Sequence, residues 1–312
     1  MAAQPAVVAS GLTKRFPGVV AVHNLSFEVV GGEIFGLVGP DGAGKTTTLR
    51  MLAGVLPPDE GSASVAGFDM GRDPEGGKRH LSYMPQRFGL YEDLTVDENI
   101  RFYADLFGVE PAERDPRSAQ LLKVAGMSEF RARLAGKLSG GMKQKLGLVC
   151  ALIHKPQVIL LDEPTTGVDP VSRRDFWAVL YSLLAEGVAI ITSTAYLDEA
   201  ERCHRVALLH EGQMLFCDTP KGLKERLPGG VLSVPSSDPR RVREALQGVA
   251  GISSLVLVGD GVRLVVVDMA KVILEVEHRL TAQQVPFESI HPALPTIEDL
   301  FVSSVEAHQV TR

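Results

Sequence analysis

The feature that most restricts this chain is the run Gly39-Pro40-Asp41-Gly42-Ala43-Gly44-Lys45-Thr46, which follows directly on a short apolar stretch, Ile34–Val38. An apolar strand, a glycine-rich turn of the form GxxxxGKT, and then a helix predicted over Thr46–Ala53 is the order that a phosphate-binding loop requires. The glycines let the backbone bend until its N–H groups surround phosphate oxygens, and the helix start adds the positive end of its dipole. Lys45 supplies a point charge, and Thr46 a hydroxyl oxygen suited to Mg²⁺. Each part answers a need of a triphosphate, and the placement between strand and helix sets it apart from a chance glycine-rich turn.

A second apolar run, Val158–Leu161, ends in Asp162-Glu163-Pro164. Continuous apolar runs are the mark of buried parallel strands, whose carboxyl ends form the edge where ligands bind. Acids at a strand end often cap the next helix. Paired with the loop, Asp162 fits a partner of Mg²⁺, and Glu163 stands where a base polarising the attacking water would sit. Before these acids comes Leu138-Ser139-Gly140-Gly141-Met142-Lys143-Gln144, which opens another helix. By itself it is a Ser-capped helix start. In this company it is a second phosphate site, in which the Ser139 hydroxyl and the amides of Gly140 and Gly141 cover the terminal phosphate of a nucleotide held elsewhere.

GPDGAGKT, LSGGM and LLDEP, in that order, resemble the ATP-binding subunits of ABC transporters from about residue 7 to 220. The resemblance implies an α/β fold, a P-loop NTPase cassette with a mixed sheet core and a helical subdomain, that binds ATP with Mg²⁺ and hydrolyses it to ADP and phosphate. It assigns the nucleotide to the loop from Gly39 to Thr46 with Thr47, and the catalytic work to Glu163, Gln86 and Lys45. Gln86, in Tyr83-Met84-Pro85-Gln86, resembles the glutamine that senses Mg²⁺ and the lytic water, so the implied metal partners are Thr46, Gln86 and Asp162. Phe16 is similar to the aromatic on which adenine stacks, the alternative being a core phenylalanine. Asp169 resembles the loop residue that crosses the interface between two such domains. If the loop and the Ser139 helix lie at different edges of one domain, they cannot close on the same nucleotide. A head-to-tail dimer is then expected, either a homodimer or a heterodimer with a second ABC ATPase. Phe88, Leu90, Tyr91 and Leu94, set among polar residues, suit a rim that docks a helix of a transmembrane permease, or else a surface turn with a few apolar anchors.

One departure from the family matters. Its members usually carry a histidine in a pattern like Thr-His-Tyr-Met-Asp-Glu-Ala, where this chain has Thr194-Ala195-Tyr196-Leu197-Asp198-Glu199-Ala200. Ala195 has no side-chain donor for a terminal phosphate. A hydrogen bond to a charged group is worth about 1.5–3 kcal/mol, so its loss from the transition state slows turnover about ten- to a hundredfold. Two accounts follow: a slow pocket partnered by a histidine-bearing ATPase, or Ser193 or Thr194 taking over part of the role. His204 and His210 stand too far along the chain to substitute and read as surface or packing residues.

At Leu227-Pro228-Gly229-Gly230 the pattern shortens, which divides the chain into a cassette, 1–227, and an accessory domain, 228–312. Strands at Val231–Val234, Ser254–Val258, Val262–Val267 and Val285–Ile290, with helices after Asp238 and through Ile273, Val276 and Leu280, give the order βαββαβ of a small ferredoxin-like α+β domain. Thr296 and Asp299 form a capping-box pattern that opens a last helix. The ending Pro295–Val302 resembles that of multidrug and antibiotic-resistance exporter ATPases, and the chain resembles one half of tandem-ATPase efflux systems.

The net charge of −6 argues against a nucleic-acid partner, which calls for a basic surface. No window holds 18 or more consecutive apolar residues, and Met1 to Ser10 lacks the basic and apolar segments of a leader, so the chain is expected in the cytoplasm, peripheral on the inner face of the membrane. Cys150, Cys203 and Cys217 lack metal or redox spacing and read as idle thiols. Two rival functions remain: a soluble ABC ATPase, which the single cassette without inserted modules disfavours, and a non-hydrolysing ATP-dependent assembly module, kept alive by Ala195. The transported substrate is not written in this sequence.

Overall fold

The computed structural model of the chain describes residues 4–310, so Met1–Ala3 of the leader reading lie outside the described residues. Two compact units divide it, Met1–Met214 and Leu215–Arg312.

In the first unit, β1 (Pro5–Phe16), β2 (Val19–Val30), β4 (Glu60–Val65) and β5 (Phe68–Asp69) form an antiparallel sheet in the order β2-β1-β4-β5. Its strands alternate buried and exposed residues, as a sheet with one covered face must. A parallel array holds β3 (Ile34–Val38), β6 (Leu81–Met84), β7 (Val158–Asp162), β8 (Ala189–Thr194) and β9 (Arg205–His210), side by side as β9-β3-β8-β7-β6. Every residue of β3, β7 and β8 is buried, which is why these stretches open on continuous apolar runs rather than alternating, with polar residues only at the carboxyl ends of β7 and β8. Because β8 lies between β3 and β7, Val38 stands beside Thr194, and Ser193 beside Asp162, so three strand ends open on one edge.

Around this array run α1 (Lys45–Leu52), α2 (Pro74–Lys78), α3 (Val96–Leu106), α4 (Pro111–Val124), α5 (Gly140–Leu152), α6 (Pro170–Leu184) and α7 (Leu197–Ala200). The helices α3, α4 and α5 pack on one another and carry the segment from Gln86 to the Ser139 turn. Among the described residues no helix is long and apolar enough to cross a membrane. Cys150 and Cys203 are buried and free; burial pushes the Cys203 thiol up to about 12, which makes it inert.

The second unit takes in most of β10 (Gln213–Asp218), then α8 (Pro220–Glu225), β11 (Gly230–Pro235), α9 (Pro239–Leu246), β12 (Ile252–Val258), β13 (Gly261–Val266), α10 (Met269–Ala282), β14 (His291–Ala293) and α11 (Ile297–Val310). Its division from the first unit falls earlier than residue 227 because α8 packs against α11. The sheet order β12-β13-β11-β14, antiparallel at each pairing, is that of a ferredoxin-like βαββαβ unit. Asp238 caps α9 through the Arg241 N–H at 3.2 Å, and the buried apolar faces of α9 and α10 supply its core.

One strand is not where the apolar pattern puts it. Val285–Ile290 is not extended sheet; the fourth strand is His291–Ala293. Gln284 takes a left-handed φ of 52° after α10, and the Val285 N–H donates to the Leu280 carbonyl at 2.9 Å, a helix-end motif that binds this residue to the helix. Pro286, without an N–H, could not continue a ladder there. Pro292 is tolerated because β14 is an edge strand, paired through Leu232.

Candidate functional site

At the shared strand edge, the turn after β3 takes conformations only glycine adopts freely: φ is 79° at Gly42 and 98° at Gly44. A side chain at Gly44 would stand 2.5 Å from the Ala21 carbonyl oxygen, and one at Gly39 would run into that of Leu209. The loop is therefore wedged between β2 and the end of β9, with its concave side open. A cavity of about 520 Å³ lies there, lined by Phe16, Asp41 to Thr47, Gln86 and Glu163, together with Val19 and Ala21. That volume lies within the range of small-ligand sites.

Lys45, only 4% exposed, donates to the carbonyls of Gly39 at 2.8 Å and Pro40 at 3.0 Å, and its ammonium lies 3.2 Å from Glu163 Oε1. Gln86 Nε2 donates to Glu163 Oε2 at 3.3 Å. Thr46 Oγ1 donates to Asp162 Oδ1 at 2.9 Å, and the Tyr83 hydroxyl to Asp162 Oδ2 at 3.3 Å. Burial, and then the neighbouring Asp162 charge, raise the Tyr83 phenol above its ordinary pKa. Thr46 and Asp162 are hard oxygen donors at the mouth of a glycine cradle, a set that fits Mg²⁺. Among the described residues no group of three or more His, Cys, Asp or Glu could hold a metal ion.

Phe16 is 42% exposed on the cavity wall, so it is no core phenylalanine; Lys14 Nζ sits 5.9 Å from its ring centre.

Ser139, Gly140, Gly141 and Asp169 form a separate cluster that does not line this cavity. The Ser139 hydroxyl accepts from the Met142 N–H at 3.3 Å, capping α5. Asp169 caps α6 by accepting from the Val171 and Ser172 N–H groups at 3.1 and 2.9 Å, and the Ser172 bonds hold its carboxyl below the ordinary value. A side chain on Gly141 would stand 2.5 Å from Ser172 Oγ, so the two helix starts meet closely.

Ala195 is exposed just beyond β8, between the ends of β3 and β7. Neither neighbouring hydroxyl faces the cavity: Ser193 Oγ donates to Asp162 Oδ1 at 2.8 Å, and Thr194 Oγ1 accepts from the Tyr196 N–H at 3.0 Å. His204 Nδ1 accepts from the Ile34 N–H at 3.0 Å, at the far end of β3.

Sequence reasoning missed the residues that hold the acids and loops. Tyr83 and Ser193 support Asp162, and the buried Glu199 accepts from Thr165 and lies 3.5 Å from Arg173 Nε. Buried Asn99 fixes the segment after Gln86, accepting from the Tyr91 N–H at 2.9 Å and donating to the carbonyls of Tyr91, Leu94 and Thr95. Above it Tyr91, Phe102, Leu106 and Phe107 are exposed, a wider apolar surface than the Phe88–Leu94 segment alone.

A family model described as "ABC transporter" matches residues 22–166. The chain is 45% identical over 300 residues to a probable multidrug ABC transporter ATP-binding protein of Escherichia coli, covering 95% of this chain and 51% of that protein. It thus spans about half the length of the first curated relatives it matches. It is 41% identical over 235 residues to the Nod factor export ATP-binding protein I of Burkholderia thailandensis, covering 75% of this chain and 77% of that one. With the linearmycin resistance ATP-binding protein of Bacillus subtilis it shares 34% over 225 residues, 72% of each chain. Among solved structures, the ATP-binding subunit of an ABC transporter superposes with a TM-score of 0.65 at 30% identity, over 71% of this chain and 92% of that one.

Proposed function

The chain belongs to the ABC transporter family, on its ATP-binding side, and from that premise we propose that it binds and hydrolyses ATP to drive an exporter whose membrane-crossing part is a separate permease. The observation that carries the chemistry is the meeting of Lys45, Gln86 and Glu163 on one cavity wall, beside the Thr46–Asp162 pair.

In this reading Gly42, Ala43, Gly44 and Lys45 present N–H groups and an ammonium to the phosphates, and Phe16 stacks on the base. Mg²⁺, when bound, would neutralise charge on the phosphates. Thr46 and Asp162 would hold it, and Gln86 donates to Glu163 beside them. Glu163 accepts a proton from the attacking water as general base. Ser139, Gly140 and Gly141 serve the nucleotide of a second, partner ATPase domain, and Asp169 lies at that interface. Their separation from the cavity of the same unit supports this arrangement.

We further propose that the exposed aromatic surface around Tyr91 and Phe102 receives a permease helix, which makes the chain a peripheral membrane protein, and that residues 1–227 act as the cassette with 228–312 as an accessory domain. The names of the relatives favour export of drugs or antibiotics.

Glu163→Gln tests the catalytic part. Phosphate release by the parent should exceed that of the variant at least tenfold, with nucleotide affinity within about threefold. Equal release, both near background, would replace hydrolysis with the ATP-dependent assembly reading that Ala195 keeps open.

A further inference from the structure

Ser193 lies at the carboxyl end of β8, the strand between β3 and β7, and is fully buried. Its Oγ donates to Asp162 Oδ1 at 2.8 Å and accepts from the Glu163 N–H at 3.0 Å. One hydroxyl has the proton and the lone pairs for both bonds. The Ser193 carbonyl accepts from the same Glu163 N–H at 3.2 Å.

Glu163 needs this support. Its φ of 47° is a left-handed conformation that a residue with a side chain keeps only where its surroundings over-determine it. Asp162 needs it as well. Besides Ser193, its Oδ1 accepts from Thr46 Oγ1, a hydroxyl whose lone pairs would also serve a metal ion. Ser193 has no such second duty. Ala195, two residues on, brings no side-chain donor to the site, so β8 acts on the chemistry through Ser193.

We propose that Ser193 is a positioning residue, whose single hydroxyl locks the metal-side carboxylate of Asp162 to the main chain of Glu163 and so sets the angle between the two acids. This rests on the ATPase reading above, and it assigns Ser193 no contact with phosphate.

The test uses the full chain with Ser193→Ala, Ser193→Thr and Thr192→Val, the last removing a buried β8 hydroxyl that has no hydrogen-bond partner. Amide hydrogen exchange without nucleotide should show the Glu163 N–H exchanging about tenfold faster in Ser193→Ala and at the parent rate in Thr192→Val. In steady state, Ser193→Ala should lower kcat about tenfold or more and raise the Mg²⁺ needed for half-maximal rate, with the KM for ATP within about threefold. Ser193→Thr, which keeps the hydroxyl, should recover most of the rate. A Ser193→Ala protein with parental exchange at Glu163 and kcat within twofold overturns the proposal. So does an equal loss in Thr192→Val, or a loss of kcat that comes together with loss of nucleotide binding and of Tm. A parent no faster than Glu163→Gln overturns the ATPase reading, and this proposal with it.

Discussion

Lys45 and Ala195 stand at opposite poles of the candidate site. Lys45 is buried in a fully specified environment, with two loop carbonyls and a carboxylate around one ammonium. Ala195 is exposed where three strand ends converge and brings nothing polar. An imidazole placed there meets the open edge rather than packed core, so Ala195→His should be tolerated structurally. Ser193 gives its proton to Asp162, and neither Ser193 nor Thr194 lines the cavity. The Ala195→His chain is therefore expected to hydrolyse ATP about ten- to a hundredfold faster than the parent, read as kcat in a coupled phosphate assay. A parent already as fast as the variant would show that the missing donor is not what limits this pocket.

Elements are fixed here by their ends as much as by their faces. The Thr296–Asp299 capping box forms as its spacing predicts: the Asp299 N–H donates to Thr296 Oγ1 at 3.2 Å, and Asp299 Oδ2 accepts from the Thr296 N–H at 2.8 Å. The tertiary structure gives the same carboxylate a second task, since Arg263 on β13 donates to both of its oxygens at 2.7 and 3.0 Å. Asp299 is 1% exposed, so removing it leaves a largely buried guanidinium without its counter-charge. Asp299→Ala should destabilise the second unit by about 3–5 kcal/mol, measurable as a lower urea midpoint for that unit. A shift under about 1 kcal/mol would mean that the pair is worth no more than a surface ion pair. Elsewhere, Val285–Ile290 shows how an apolar run misleads: the helix-end bonds of Gln284 and Val285 claim its start, and Pro286 then denies it a ladder partner.

At the scale of the whole molecule, the two halves of the candidate chemistry lie apart. The cavity gathers Phe16, the loop, Gln86 and Glu163, whereas Ser139, Gly141 and Asp169 sit with Ser172 in their own cluster. In the proposed arrangement a second ATPase domain completes them, and the E. coli relative, of which this chain covers 51%, is long enough to hold further sequence of its own. A tagged Glu163→Gln chain, loaded with Mg-ATP, is expected to carry a permease and a second ATPase domain out of detergent-solubilised membranes. The doubly substituted chain with Ser139→Arg should lose the ATPase partner. Recovery of the tagged chain alone in both cases would count against the shared nucleotide and the permease together.

The amino-acid order by itself determined the phosphate loop, the acid pair, the Ser139 helix start and the βαββαβ order of the second unit, because each depends on contiguous residues whose chemistry or period is local. It also marked Ala195 as a departure from the family's pattern, a difference at one position of a short run. Only the tertiary structure decided that Ser193 and Tyr83 grip Asp162, that Glu199 braces Thr165, and that Arg263 neutralises Asp299. Those partners come from strands and helices distant in sequence, and the crossovers of a parallel sheet place β8 between β3 and β7, an adjacency no local periodicity encodes. Buried polar groups must then find partners among whatever neighbours the topology supplies.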